Sequence, residues 1–134
     1  VPDLAYVGIS GSGEVYGETV WDVRDFDLRV NGNGCIDMEI NARDIEARIA
    51  GSGKIFLEGG SRAVYYEVSG SGIIQGFNLR SNRGTVSMLG SGSCELTALD
   101  ALEVDISGNG AVYFRGFPSI KTSITGGGDL FDAN

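Results

Sequence analysis

Histidine is absent from this sequence, cysteine and proline each occur twice, and no apolar run approaches the roughly 20 residues of a membrane-spanning helix. Each shortage removes a class of function. Without histidine there is no Ser-His-Asp or Cys-His arrangement and no imidazole metal site. Cations are few, 10 Lys and Arg against 18 Asp and Glu, and the net charge of -8 argues against nucleic acid as a partner, because phosphate binding needs a basic stripe. The two cysteines have neither metal-like nor redox-like spacing. Glycine, by contrast, is in excess, with 22 in 134 residues. With so little proline beside it, that excess indicates many tight turns rather than a disordered linker. The length is that of one domain, 1–134, with enough apolar content for a core.

The glycines repeat. Gly-x-Gly units begin at Gly11, Gly32, Gly51, Gly70, Gly90, Gly108 and Gly126, at intervals of 21, 19, 19, 20, 18 and 18 residues, which is the signature of a solenoid. Aligned on the first glycine, the sequence falls into columns. Two residues before it stand Ile9, Val30, Ile49, Val68, Met88, Ile106 and Ile124. Two further back stand Val7, Leu28, Ala47, Tyr66, Val86, Val104 and Thr122, and before those Phe26, Ile45, Val64, Gly84, Leu102 and Ile120. The residues between are mostly polar, among them Arg29, Arg48, Glu67, Ser87 and Asp105. After the unit the alternation resumes, with Val15, Ile36, Ile55, Ile74, Cys94, Val112 and Leu130 on the inward side. Period-two alternation marks a strand with one buried face. Each repeat reads as strand, corner, strand and a variable return such as "NARD" or "GGSR". The fold expected is all-β, a right-handed parallel β-helix of about seven coils rising ~4.8 Å per coil.

Gly-x-Gly is on this reading a corner and not a phosphate cradle. No copy extends to Gly-x-Gly-x-x-Gly. The unit followed by Lys54 has Arg48 where a P-loop needs its earlier glycine, and Ile55 where it needs Ser or Thr. The columns also separate the cysteines: Cys94 points inward, while Cys35 points outward three coils away, roughly 14 Å at the strand spacing and beyond disulfide reach.

The phrases "AYVGISGSGEV", "ARIAGSGKI", "YEVSGSGII" and "VDISGNGAV", with the closing "GNGAVYFRGFPSIKTSITGGGDL", resemble the family of auto-transporter adhesins with a head GIN domain. The closing aromatic-x-Gly-x-Pro phrase is carried by Phe114, Gly116 and Pro118. The resemblance runs from about Tyr6 to the C-terminus. It implies a parallel β-helix in a bacterial protein that is secreted or attached to the cell envelope, with no catalytic residue to carry over. Members usually carry further strands N-terminal to this region, so the chain reads as the C-terminal part of a longer protein or as a shorter member.

Three places could carry chemistry. The phrases "RDFDLRV" and "RDIEARI" recur at an interval of 19, so stacking would set Asp25 beside Asp44, Asp27 beside Glu46 and Arg29 beside Arg48. Four carboxylates on adjacent coils could hold calcium or act as an acid–base pair, and the plainer alternative is a solvated face with arginines screening the acids. The third copy, "RAVYYEV", has lost both acids. A second column, Tyr16, Asp37, Phe56, Gln75, Glu95, Tyr113 and Phe131, should point outward, as should Tyr6 and Tyr65. Exposed aromatics can stack on sugars or form a dimer contact, the alternative being packing beneath the return segments. Trp21 should anchor the longest return, "GETVWDVRD". The terminal "GGGDLFD" echoes a calcium nonapeptide in a single copy, although such ions sit between successive copies. Cys35 has no base in its own coil to activate it.

The function expected is that of a non-enzymatic, surface-exposed module that binds a glycan or a host or matrix surface, with no cofactor. A carbohydrate-active enzyme using Asp25, Asp27, Asp44 and Glu46 is the first alternative. A structural module forming a homo-oligomer through an open solenoid end or an aromatic face is the second. The register itself makes a testable statement. Ile55→Asp should cost about 4 kcal/mol or more, because it puts an unpaired charge inside a tight column. Lys54→Asp, one residue away, should stay within about 0.5 kcal/mol. Thermal denaturation of the two variants compares them, and equal losses would mean a register wrong by one residue.

Overall fold

The ladder expected from the glycine intervals is present in the computed structural model, which describes residues 4–16, 21–116 and 118–132. Among these residues every regular element is a strand, and every strand pairing is parallel. In chain order they are β1 (Leu4–Gly11), β2 (Glu14–Tyr16), β3 (Trp21–Gly32), β4 (Cys35–Gly51), β5 (Lys54–Gly70), β6 (Ile73–Gly90), β7 (Ser93–Gly108), β8 (Ala111–Arg115), β9 (Ser119–Thr125) and β10 (Asp129–Asp132). Each pairs with its equivalent one coil away, so the chain winds as a β-solenoid. Seven corners bound six intervals, and the solenoid has about six turns where the repeat count led to an expectation of about seven.

The two glycines of a corner do different work. The first has φ between +95° and +116° in all seven units, a region that disfavours any side chain. The second is needed for space: a Cβ on Gly53 would collide with Val30 of the coil below and lie 3.0 Å from the Gly34 carbonyl oxygen. With both in place the corner joins the ladder. Ser52 N–H donates to the Gly32 carbonyl at 3.1 Å and Lys54 N–H to that of Gly34 at 3.0 Å. The Ser52 hydroxyl also donates to the side-chain oxygen of Asn33 beneath it.

The return segments depart from expectation. "NARD" lies inside the 17-residue β4 and "GGSR" inside the 17-residue β5, so the returns are paired strand rather than loops. What marks them is a slip in phase. Ala42 is buried, Arg43 and Asp44 are both exposed, and Ile45 is buried again, which turns the chain through a second corner. Coil-length differences are absorbed between β5, β6 and β7, where the register shifts. There Ser81, 1% exposed, donates its hydroxyl to the Thr97 carbonyl at 2.7 Å, and Thr97 donates to that of Phe77 at 2.7 Å, so this buried polar group is satisfied. The side chains of Tyr16 and Trp21, and residues 17–20 of the longest return, lie outside the described residues.

The core is the set of inward columns. Ile36, Ile55, Ile74, Cys94 and Val112 stack with none exposed above 0%, while Lys54 beside Ile55 is exposed. Burying such an aliphatic side chain contributes about 1.5–3 kcal/mol. The last coil is an exception: Ile120 and Ile124, expected inward, are 44% and 38% exposed because no coil stacks beyond β9 among the described residues.

One core residue is out of keeping with its neighbours. Tyr66 is fully buried, its hydroxyl makes no hydrogen bond among the described residues, and burial pushes the phenol well above its usual range. Gly76 makes room for that hydroxyl, since a Cβ there would lie 2.9 Å from it. An unpaired buried hydroxyl costs about 1–3 kcal/mol. Tyr66→Phe should therefore raise stability by about 1 kcal/mol in a thermal or denaturant melt, and a drop would mean that the hydroxyl has a partner in solution.

Candidate functional site

The stacking proposed for the duplicated phrase is present in the register. Asp25 pairs with Asp44, Asp27 with Glu46 and Arg29 with Arg48. Strand alternation turns all six side chains to one outer face, at ~4.8 Å between coils. Arginines screen the middle column along the strand. Arg29 donates to Asp27 through Nε and Nη2, both at 3.3 Å, and Arg48 Nη2 donates to Glu46 at 3.1 Å. Arg48 Nε also stands 3.3 Å from Glu67 Oε2 on the next coil, an ion-pair approach without hydrogen-bond alignment. The Arg29 guanidinium is pushed above its usual range first by the hydrogen bond to Asp27 and then by that residue's charge. Asp25 and Asp44 form no ion pair among the described residues. Among the described residues no three His, Cys, Asp or Glu side chains stand together in a way that could hold a metal ion.

The register adds two residues to this face. Tyr6 stacks on Asp27, and Tyr65 on Glu46, so a single column runs Tyr6, Asp27, Glu46, Tyr65. The carboxylates are bracketed by two tyrosines, and each arginine reaches over one ring, Arg29 at 5.8 Å from the Tyr6 centroid and Arg48 at 5.9 Å from that of Tyr65. A recess of about 410 Å³ opens along this face, lined by Asp25, Asp27, Asp44, Glu46, Tyr65 and Val64 among others. Both tyrosines stand out in the sequence as outward aromatics; their place in the acidic column follows from extending the register one coil in each direction, by 21 residues to Tyr6 and 19 to Tyr65.

The other aromatics are elsewhere. Tyr16, Phe56 and Tyr113 share a column on the far side of the glycine corner, interrupted by Asp37, Gln75 and Glu95. Tyr113 stacks on Phe131 with centroids 5.0 Å apart, while Phe56 has Asp37 and Gln75 as its ladder neighbours. These residues make no continuous aromatic platform, since polar residues interrupt the column. The sequence-nominated set therefore divides into one assembled face and one scattered column.

A parallel solenoid with glycine corners defines a repeat protein whose surface residues are arranged in exposed columns. The family model described as putative auto-transporter adhesin, head GIN domain, matches residues 1–118, and the chain belongs to that family of adhesin-like modules. It is similar to the crystal structure of a putative adhesin from Parabacteroides distasonis, at 25% sequence identity over 98% of this chain with a TM-score of 0.96. A putative lipid binding protein from the same species aligns at 25% identity over 99% of this chain, TM-score 0.95. A putative adhesin from Parabacteroides merdae, at 23% identity over 99% of this chain, shares the fold with a TM-score of 0.97. This chain spans 56% of the length of each of the three. No curated protein matches the sequence.

Both cysteines are free thiols. Burial raises the Cys35 thiol, helped by the negative charges of Glu14 and Asp37, and Cys94 is raised much further by complete burial. Only the thiolate reacts, so a raised thiol is slower than free cysteine at a given pH. Iodoacetamide at mildly alkaline pH should label Cys35 alone, more slowly than a model thiol and faster as pH rises, with Cys94 labelled only in denaturant. Mass spectrometry of the labelled peptides checks this.

Proposed function

We propose that this chain is a non-enzymatic, surface-exposed adhesive module, outside the cell or held at its envelope, which binds a glycan across the Tyr6–Asp27–Glu46–Tyr65 face. The observation that carries this reading is the column itself. Carboxylates supply hydrogen-bond acceptors for sugar hydroxyls, the flanking tyrosines offer rings for stacking, and the recess follows the solenoid axis. Family membership supports the adhesive role and the external location. The non-enzymatic part is supported by the lack of histidine, which removes the imidazole-based acid–base and nucleophile arrangements.

The test is an array of glycans and matrix proteins probed with the purified domain, with calcium and again with a chelator. A specific glycan hit is expected under both conditions, because no carboxylate triad is assembled. Tyr65→Ala should weaken it about tenfold, the value of one lost aromatic contact. A blank array in both conditions would overturn the adhesive reading. Release of shortened saccharides from the bound glycan would overturn the non-enzymatic one.

A further inference from the structure

The second corner of the coil carries a feature the adhesive face does not use. Val23 pairs with Ala42 and Asp25 with Asp44, which sets Arg24 beside Arg43. Ala42 pairs with Ser61 and Asp44 with Ala63, which sets Arg43 beside Arg62. On the next coil Arg83 stacks directly on Ala63, one position along from Arg62. Four of the ten cationic side chains of a chain with net charge -8 thus line one edge over four consecutive coils, and all four are exposed. Arg29 and Arg48, by contrast, are engaged with carboxylates. Arg24, Arg43, Arg62 and Arg83 form no ion pair among the described residues, although Asp25 and Asp44 are their chain or ladder neighbours. Like charges facing one another across a ladder are unfavourable. A recess of about 400 Å³ lies along this edge, lined by Arg43, Arg62, Arg83 and Asn82, with the carboxylates of Asp44 and Asp100 at its margin.

We infer that this arginine edge is a binding site for a linear anionic polysaccharide, bearing sulfates or uronic acid carboxylates, laid parallel to the solenoid axis. The guanidinium fork can donate two N–H groups to a pair of oxygens on either group. The rise of ~4.8 Å per coil sets the charges at about the repeat of successive sugar rings in an extended chain. The shape of the site argues against a membrane: it is one residue wide and spans ~14 Å over three coil steps. Asp25, Asp44 and Asp100 flank it, and they would repel a flat anionic surface while leaving room for a thin strand. The site uses arginines that the tyrosine-bracketed face does not, although Asp44 borders both recesses.

The experiment is binding of the intact domain to immobilised dextran sulfate, polygalacturonate and neutral dextran, at low and at physiological salt, with vesicles containing an anionic phospholipid run in parallel. The expected result is binding to at least one polyanion that weakens with salt, and none to neutral dextran. The double variant Arg43→Gln/Arg62→Gln should lose at least about tenfold in affinity. The charge-matched control Arg80→Gln/Arg115→Gln should lose much less, since Arg80 lies off this edge and Arg115 is stacked over Phe77 at 4.2 Å. The single variant Arg83→Gln, melting like the parent protein, keeps the test intact if the double variant is unstable. Absence of polyanion binding, equal losses in both double variants, or binding to vesicles alone would each overturn the proposal.

Discussion

Everything in this domain depends on keeping the parallel backbone ladder in register from coil to coil. That ladder exists only where the chain can turn sharply without leaving it, and the paired glycines meet this condition at every corner. One permits the positive φ and the other lets the coils approach, so the amides of Ser52 and Lys54 reach the coil beneath. With the ladder fixed, equivalent residues come to lie directly over one another at the strand spacing, inside and outside alike. The core is therefore a set of columns, filled mostly by apolar side chains, and the surface is a set of columns as well.

Columns on the outside concentrate charge of one sign, which an ordinary surface avoids. Asp27 over Glu46 would repel, and the chain answers within each strand, using the arginine two residues on. Exposed pairs of this kind add only about 0–1 kcal/mol each to stability. Their main consequence is that the Asp27–Glu46 column stays hydrated and charge-compensated while keeping its acceptors in line. The arginine edge has no such arrangement, and the contrast between the two neighbouring columns separates a balanced surface from one left open to a counter-charge.

Most of the ladder was legible in the residues because alternation and glycine spacing are strong, local and repeated. Asp25 over Asp44 and Arg29 over Arg48 follow from counting nineteen. The returns were harder to read: at "NARD" two successive residues face outward, which breaks the alternation just where the strand continues, so a paired segment resembles a loop. The same slip hid the arginine edge, whose members begin each copy of the duplicated phrase at Arg24, Arg43 and Arg62 but stand outside the alternating run. The bare side chains of the last coil were misread for another reason. Ile120 and Ile124 fit the inward column, and burial depends on a further layer that a column alone does not supply.

The constant offset of the ladder also sets how the chain assembles. Partners such as Asn33 and Ser52 are 19 residues apart, and with similar separations throughout a 134-residue chain the relative contact order is about 0.14, nearer mixed α/β domains than the roughly 0.16–0.22 of β-sandwiches. Each coil closes one short loop onto a template already in place, so folding can begin at any adjacent pair of coils and spread in both directions. A defect in a middle coil would then do more than weaken one layer: it would divide a single cooperative transition into two.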